Sequence, residues 1–561
     1  MSSKHFRRSA RHLTGGLAAS FAGLALLTPI ARAADATWNV DAADSWATDA
    51  AWNPAAAPGS TSSTTSTDTA TFGSVITAAR TVTVDANRNV SGINFSGNSF
   101  AYTLSGGNLL LSAGGTIQTS GAGSNTFVDN VNSAITLQGD YAFTAGSTNT
   151  NHTLSIGTTV TSAVVGGTTT LTLNGANTGV AGTNTVTNVI TGIISNGTST
   201  VAISKSGAGK WALSGANTYS GGTTVTAGIL EVRNNNALGT GAVTLNGGTL
   251  QGAGGANVSI ANNIVAQTGT TSTLTTNGRD LTIAGNITGS GNINRSAPPT
   301  ATTVFLSGNN SGYTGTFTQA NNGNAVVRFG NANGGSAAAS WVFQNTTAGR
   351  TTLDYAGSAT ISFGSMTGNG HIQANIAGTK TISAGALGSN DTFSGILAAN
   401  TFTPTALLAL TKVGSGTLTL SGANTYTAGT LVSGGTLATS GTGTLGTGNV
   451  TLDGTSPVVL TLGSAVSFGD SATLTFAGNS TINMNFTGSD VLGSVTNGSL
   501  TLTPGSYTAA QLNTFFGGSN FVDAGALGGT LTVVPEPHQF ALAIVGLLGV
   551  MVFMRRRNQQ A

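Results

Sequence analysis

KSGAGKWALSGANTYSGGTTVTAGILEVRNNNALGTGAVTL, residues 205–245, aligns without a gap on KVGSGTLTLSGANTYTAGTLVSGGTLATSGTGTLGTGNVTL, residues 412–452, with 22 of 41 positions identical. The shared frame opens on K-x-G-x-G, runs through L-S-G-A-N-T-Y and closes on L-G-T-G-x-V-T-L. Looser copies stand at 171–178 (LTLNGANT) and 306–317 (LSGNNSGYTGTF). Such repeats mark a chain built by stacking similar units, none of which buries its apolar face alone. Identity between the copies assigns roles to positions. Gly207/Gly414 and Gly209/Gly416 read as turns that need positive φ. Asn217/Asn424 suit a repeated turn, and Leu213/Leu420 and Val225/Val432 suit the packed interior.

Outward from the repeat, the same alternation continues: Leu171-Thr-Leu173, Leu281-Thr-Ile283, Leu460-Thr-Leu462 and Leu500-Thr-Leu502. Apolar side chains at period two, bounded by Gly, Asn and Ser, make strands with one face buried and one wet. Threonine is β-branched and suits the outer face, where hydroxyls of neighbouring strands form ladders. A chain with 6% charged residues and 82 glycines could be disordered on composition alone, but this alternation argues for folded β structure. One internal segment, 508–516 (TAAQLNTFF), has the composition of a short helix.

The K-x-G-x-G-x-x-x-L-S-G-A-N-T-Y frame resembles the autotransporter-associated β-strand repeat. The two long copies match it closely and the two short ones loosely. Trp38, Trp46 and Trp52, with Asp68-Thr-Ala-Thr-Phe72 and Thr81-Val-Thr-Val84, resemble the lead-in found before such arrays. The resemblance implies an exported, surface-associated, right-handed parallel β-helix. The chain departs from a true autotransporter in closing on one short apolar segment where that family has a many-stranded barrel, so self-translocation is not implied. The expected fold is therefore all-β, an elongated right-handed parallel β-helix with a short C-terminal transmembrane helix. A string of β-sandwich domains is the competing fold, but no composition break or linker divides the body. Coils of about 20–25 residues would give some 20 turns and a rod near 100 Å. Residues 34–72 and 508–523 are the expected caps over its open ends.

The two ends of the chain read as addresses. Lys4, Arg7, Arg8 and Arg11 precede an uncharged stretch at 13–30, and Ala31-Arg32-Ala33 forms an A-x-A cleavage site before Ala34. This makes 1–33 a signal peptide for the Sec export machinery. At the other end, Pro535-Glu536-Pro537 cannot continue a helix or a sheet ladder. An uncharged segment at 540–554 follows, with Phe540, Leu542, Ile544, Val545, Leu547, Leu548, Val550 and Phe553, and then Arg555, Arg556 and Arg557 as a stop-transfer cluster. Fifteen helical residues span about 22 Å, short of the roughly 30 Å hydrocarbon core, and the arginines can snorkel. Pro-Glu-Pro, apolar helix and Arg cluster in this order resemble the PEP-CTERM sorting signal of Gram-negative bacteria. That resemblance implies recognition of Pro535, Glu536 and Pro537 by an exosortase-like enzyme in the inner membrane, then release to the cell surface or extracellular matrix. The division expected is 1–33 signal peptide, 34–170 N-terminal cap and first coils, 171–454 repeat-bearing β-helix, 455–534 last coils and cap, and 535–561 sorting segment. The absence of cysteine suits an oxidising compartment.

Between Asp35 and Val534 there are 11 Lys/Arg against 16 Asp/Glu, a net charge of −5, so a nucleic-acid partner is not indicated. His152 and His371 lack metal-ligand spacing and read as surface residues, and neither a metal nor a cofactor is expected. Asp129 with Asp140, or Asp41 with Asp44 and Asp49, are the close carboxylates a glycosidase would need; all five read better as solvated turn residues. Glu231 is the sole glutamate of the body. Gly207-Ala-Gly209-Lys210 resembles a phosphate loop only superficially, since Ser204 stands at its first glycine and the second copy has Thr417 at the lysine. The sequence favours a non-catalytic surface or matrix protein whose rows of Ser, Thr and Asn contact extracellular polysaccharide or neighbouring copies. The alternatives are an adhesin with a ligand patch near Trp38, Trp46 and Trp52, or a polysaccharide-degrading β-helix enzyme whose acids and an arginine meet in a groove.

Overall fold

The computed structural model describes residues 35–534 except 123–124, 180–186, 297–301, 321–324, 345–349 and positions 399, 401, 499 and 524. Ala31, Ala33, Ala34 and the whole sorting segment from Pro535 to Arg557 lie outside the described residues. Among those described, no helix is long and apolar enough to cross a membrane.

The strands are short because Gly, Asn and Ser interrupt the alternation every few residues, and each interruption is a corner. Between corners the chain pairs in parallel with the coil before and the coil after. The result is an all-β, right-handed solenoid of about 17 turns with almost no helix. Partners on consecutive coils are 19 residues apart at Lys210↔Ile229 but 34 apart at Ser155↔Val189, and the wider coils lower the turn count below 20. The apolar side chains of one coil cannot offset the ordering cost of its backbone, about 1–2 kcal/mol per residue, without the coils stacked on either side. No coil stands alone, and the buried residues form one continuous cluster from Ala36 to Val533.

Among the described residues, three long parallel ladders run along the rod, and a small separate sheet pairs Ser489–Leu492 with Thr530–Val533 near the C-terminal end. The first passes from Asp35–Trp38 through Thr200–Lys205 and Thr223–Val225 to Ile287–Gly289. The second passes from Asp44–Ser45 through Lys210–Leu213 and Ile229–Val232 to Ala359–Gly368. The third occupies the middle of the rod only, from Val258–Ile260 to Ile396–Ala398. Ala359–Gly368 is a fork. Its first half pairs with Gly378–Ala384 and its last residue with Asp391–Phe393. One branch leads to Ala406–Lys412 and Thr430–Val432, the other to Thr417–Leu420 and Gly435–Thr439. The second repeat copy therefore presents the same pair of ladders as the first. Along the first ladder, Thr172, Ser204, Thr224 and Thr244 stand in one outward row, as the alternation predicts.

Both ends are closed. At the N-terminal end, Trp52–Asn53 pairs antiparallel with Asp35–Trp38 and covers the free edge of the first ladder. Trp38, Trp46 and Trp52 are fully buried and converge on Phe72, with ring centroids 6.1, 5.6 and 5.5 Å away. At the C-terminal end, the helix Ala509–Phe516 begins at Thr508, whose hydroxyl and Gln511 form a capping box, and stops at Gly517 in the left-handed conformation. Phe516 then packs on Phe476 at 5.1 Å.

Candidate functional site

The repeated module is the best-defined chemical feature of the molecule, and its lysine explains why it repeats. Lys205 ends an alternating strand, Val201 and Ile203 point inward, and Lys205 follows them into the interior. Its ammonium donates to the carbonyl oxygens of Ser206, Gly207 and Ala227 at 2.7, 2.9 and 3.0 Å. Lys412 donates to Val413, Gly414 and Gly434 at the same three distances. All three donors of each ammonium are used, and each lysine ties its own corner to the corner of the next coil. Burial pushes both lysines down to about 8.

Glycine follows from this geometry. Gly228 holds φ +62°, and a Cβ there would come within 2.7 Å of Lys205 Nζ. Gly435 occupies the same position in the second copy at φ +61°. Gly207 and Gly414 have positive φ as expected, whereas Gly209 and Gly416 do not. Those two are small because a carbonyl of the preceding coil lies against them: a Cβ on Gly209 would meet Asn177 O at 2.6 Å.

Asn217 does more than shape its own turn. Its Oδ1 accepts from Ile194 N at 2.8 Å in the coil before, and its Nδ2 donates to Ala237 O at 2.6 Å in the coil after. Asn424 does the same with Leu397 N and Thr444 O, and Asn310 of a degenerate copy with Ile287 N and Gly334 O. Tyr219 and Tyr426 are buried and bond the hydroxyls of Thr223 and Thr430 at 2.6 and 2.5 Å. Leu213, Leu420, Val225 and Val432 are fully buried, as the alternation requires.

Two segments, 203–232 and 410–438, match the passenger-associated transport repeat. They begin two residues before each buried lysine and cover the strands that it ties together. The matched passenger repeats account for a small part of the chain. No curated protein and no solved structure matches it.

The first passenger repeat carries a charge cluster that the second lacks. Glu231 is fully buried, with Arg233 Nη2 at 2.5 Å from Oε1 and Lys210 Nζ at 3.4 Å from Oε2; Arg233 also donates to Thr187 Oγ1. The aligned positions of the second copy hold Thr417, Ala438 and Ser440. Lys210 is thus a partner of Glu231, and the phosphate-loop likeness has no structural counterpart.

Two sequence expectations are corrected here. Asp129 is not a solvated turn aspartate, and His152 is not a surface residue: both are buried, with His152 Nε2 at 2.7 Å from Asp129 Oδ2. Asp129 lies on the inward side of Phe127–Val131, accepts from Tyr102 N at 2.8 Å and from Asn98 Nδ2, and His152 stacks on Phe127 at 4.3 Å. Sequence distance hid the pair, because a coil of 25 residues separates the aligned positions Phe127 and His152. Burial raises the Asp129 carboxyl above its ordinary range, against the pull of His152. His371 is half-buried, and burial and Arg350 together hold it below the ordinary histidine value.

The other singled-out acids serve the backbone. Asp140 accepts from Thr170 N, Asp49 from Ala57 N, Asp41 from Thr77 N and Arg80, and Asp44 from Ser45 N and Thr48. A carboxylate at a corner can bond an N–H on the neighbouring coil that no strand partner reaches. Among the described residues, no three His, Asp or Glu side chains gather as a metal-binding group. The tryptophan patch proposed as a ligand surface is corrected too, since its three side chains form the interior of the N-terminal cap. Sequence reasoning missed Arg295. It is fully buried, donates to Ser296 O, Thr302 O and Thr276 Oγ1, and is pushed by burial down to about 10.

Proposed function

We propose that this protein is an exported, non-catalytic β-helix of the cell surface or extracellular matrix, delivered by Sec and sorted through Pro535-Glu536-Pro537 by an exosortase-like enzyme. The observation that carries the exported, passenger-like part is the pair of passenger repeats, with the same lysine and asparagine bonds in both. Passenger repeats of this type suggest a structural or adhesin-like protein at the surface. The sorting part rests on the order Pro-Glu-Pro, apolar segment, Arg555 to Arg557. The rod's outer rows of Ser, Thr and Asn offer many weak contacts at regular spacing, which suits extracellular polysaccharide or a neighbouring copy.

Intact-mass analysis of protein from membranes and from culture supernatant tests the sorting part. A supernatant form that begins near Ala34 and ends near Pro535–Pro537 is the expected result. A form that keeps its whole tail and stays in the membrane would leave a plain C-terminal anchor in place of a processed sorting signal.

A further inference from the structure

The third ladder displays a different outer surface from the threonine rows of the first. Register places Thr282, Phe305 and Arg328 in one outward row on three consecutive coils. Beside this row, Asn257, Asp280, Thr282, Thr303, Phe305 and Arg328 line a depression of about 130 Å³. An aromatic face, a cation, a carboxylate, an amide and hydroxyls converge on it.

The parts are held in place. The Phe305 ring lies against Gly330 of the next coil, where an added Cβ would come within 2.5 Å of its Cζ. Asp280 Oδ1 accepts from Thr303 N at 2.7 Å, and Asn257 Oδ1 accepts from Asp280 N at 3.1 Å. Arg328 has a side chain 46% exposed; among the described residues its ion-pair partner is Asp354, whose Oδ2 stands 3.5 Å from Nη1, and Asp280 lines the same depression. Asp354 is 8% exposed and its Oδ1 meets no donor among the described residues. The guanidinium thus keeps most of its five donors toward solvent, in a planar fork that matches a carboxylate.

From this juxtaposition we propose that the outer face of the third ladder is a saccharide-binding site for a pyranose bearing a carboxylate, a hexuronate unit of an extracellular polysaccharide. The apolar face of the ring lies on Phe305, Arg328 grips the carboxylate, and Asp280, Asn257 and Thr282 bond the ring hydroxyls. The shallow site holds one unit, so affinity for a polymer comes from many rods and many units.

The proposal deepens the adhesin form of the surface reading and rests on it. The full chain is titrated with a galacturonate trimer and a glucose trimer at matched ionic strength, followed by saturation-transfer NMR and calorimetry. Saturable binding of the acidic trimer in the millimolar range is expected, at least about tenfold tighter than the neutral one. Phe305→Ala and Arg328→Gln should each weaken it about tenfold or more. Arg328 is exposed, so its variant keeps the fold, as circular dichroism would verify. Equal binding of both trimers, unchanged binding by both variants, or no saturation at tens of millimolar would overturn the site. Cell fractionation of Arg328→Gln separates the two readings: it should be exported like the wild type whether or not it binds sugar.

Discussion

At the scale of single residues, the interior of this rod is unusual in where it places charge. Lys205 and Lys412 each satisfy three carbonyls that no strand partner reaches. Lys205→Met removes all three donors at once and leaves three carbonyl oxygens unpaired, which should cost about 3 kcal/mol or more at about 1–3 kcal/mol per buried group. Hydrogen exchange across 203–232 would show the loss, and unchanged protection would refute the role. Glu231→Gln should cost a similar amount, since it leaves Lys210 and Arg233 facing a neutral group. The triple variant Lys210→Thr, Glu231→Ala, Arg233→Ser copies the second repeat and should recover most of that loss in chemical denaturation. The inward position of the lysines could be read from the sequence: alternation carried two residues past Ile203 or Leu410 turns the lysine inward. The same rule would have found Arg295 after Ile293. Asp129 with His152 was not legible, because nothing in a sequence fixes the length of the coil between two residues before the ladders are known.

At the scale of elements, the corners and caps decide local stability. Gly228→Ala must tolerate φ +62° and a Cβ at 2.7 Å from Lys205 Nζ, whereas Gly441 has φ +60° with open space around it. The first substitution should destabilise by at least about 2 kcal/mol more than Gly441→Ala, measured by denaturation, because only the strain term is shared. In the C-terminal cap, Asp490 is buried on Ser489–Leu492 and accepts from Ser467 N at 2.9 Å. Burial pushes it up to about 7, against those backbone donors. The folded value exceeds the unfolded one of about 3.9, so the contribution is complete below pH 4 and is lost as pH rises through 7. Exchange of 467–534, corrected for intrinsic rates, should be slower at pH 5 than at pH 8. Asp490→Asn should flatten the difference, and a variant with the same pH dependence would assign it elsewhere. The caps themselves could be read from sequence, the last from its T-x-x-Q start and the first from its tryptophans. Which way the tryptophans faced could not, since indole suits a sugar platform and a hydrophobic plug equally well.

For the whole molecule, the period-two pattern and the two repeats were enough to specify a stacked parallel architecture. The fork at Ala359–Gly368 and the third ladder were not, because their strands lack the repeat frame and share the alternation of every other segment. About 17 turns at about 4.8 Å give a rod on the order of 80 Å long. Small-angle scattering should show a maximum dimension well above the roughly 60 Å of a compact chain of this size. Removing 35–72 should uncover the first-ladder edge at Arg88–Ser96 and produce concentration-dependent association in light scattering, where the intact chain stays monodisperse. The cluster of Lys210, Glu231 and Arg233 bears on assembly in another way. Two modules so alike, 207 positions apart, invite the chain to thread one in the place of the other while it folds. With Gly435–Thr439 laid over Lys210–Leu213, Ala438 would stand where Glu231 belongs and strand Lys210 in a dry site without a counter-charge. The cluster acts as a key cut for one lock, and it makes the correct order of coils the cheaper one.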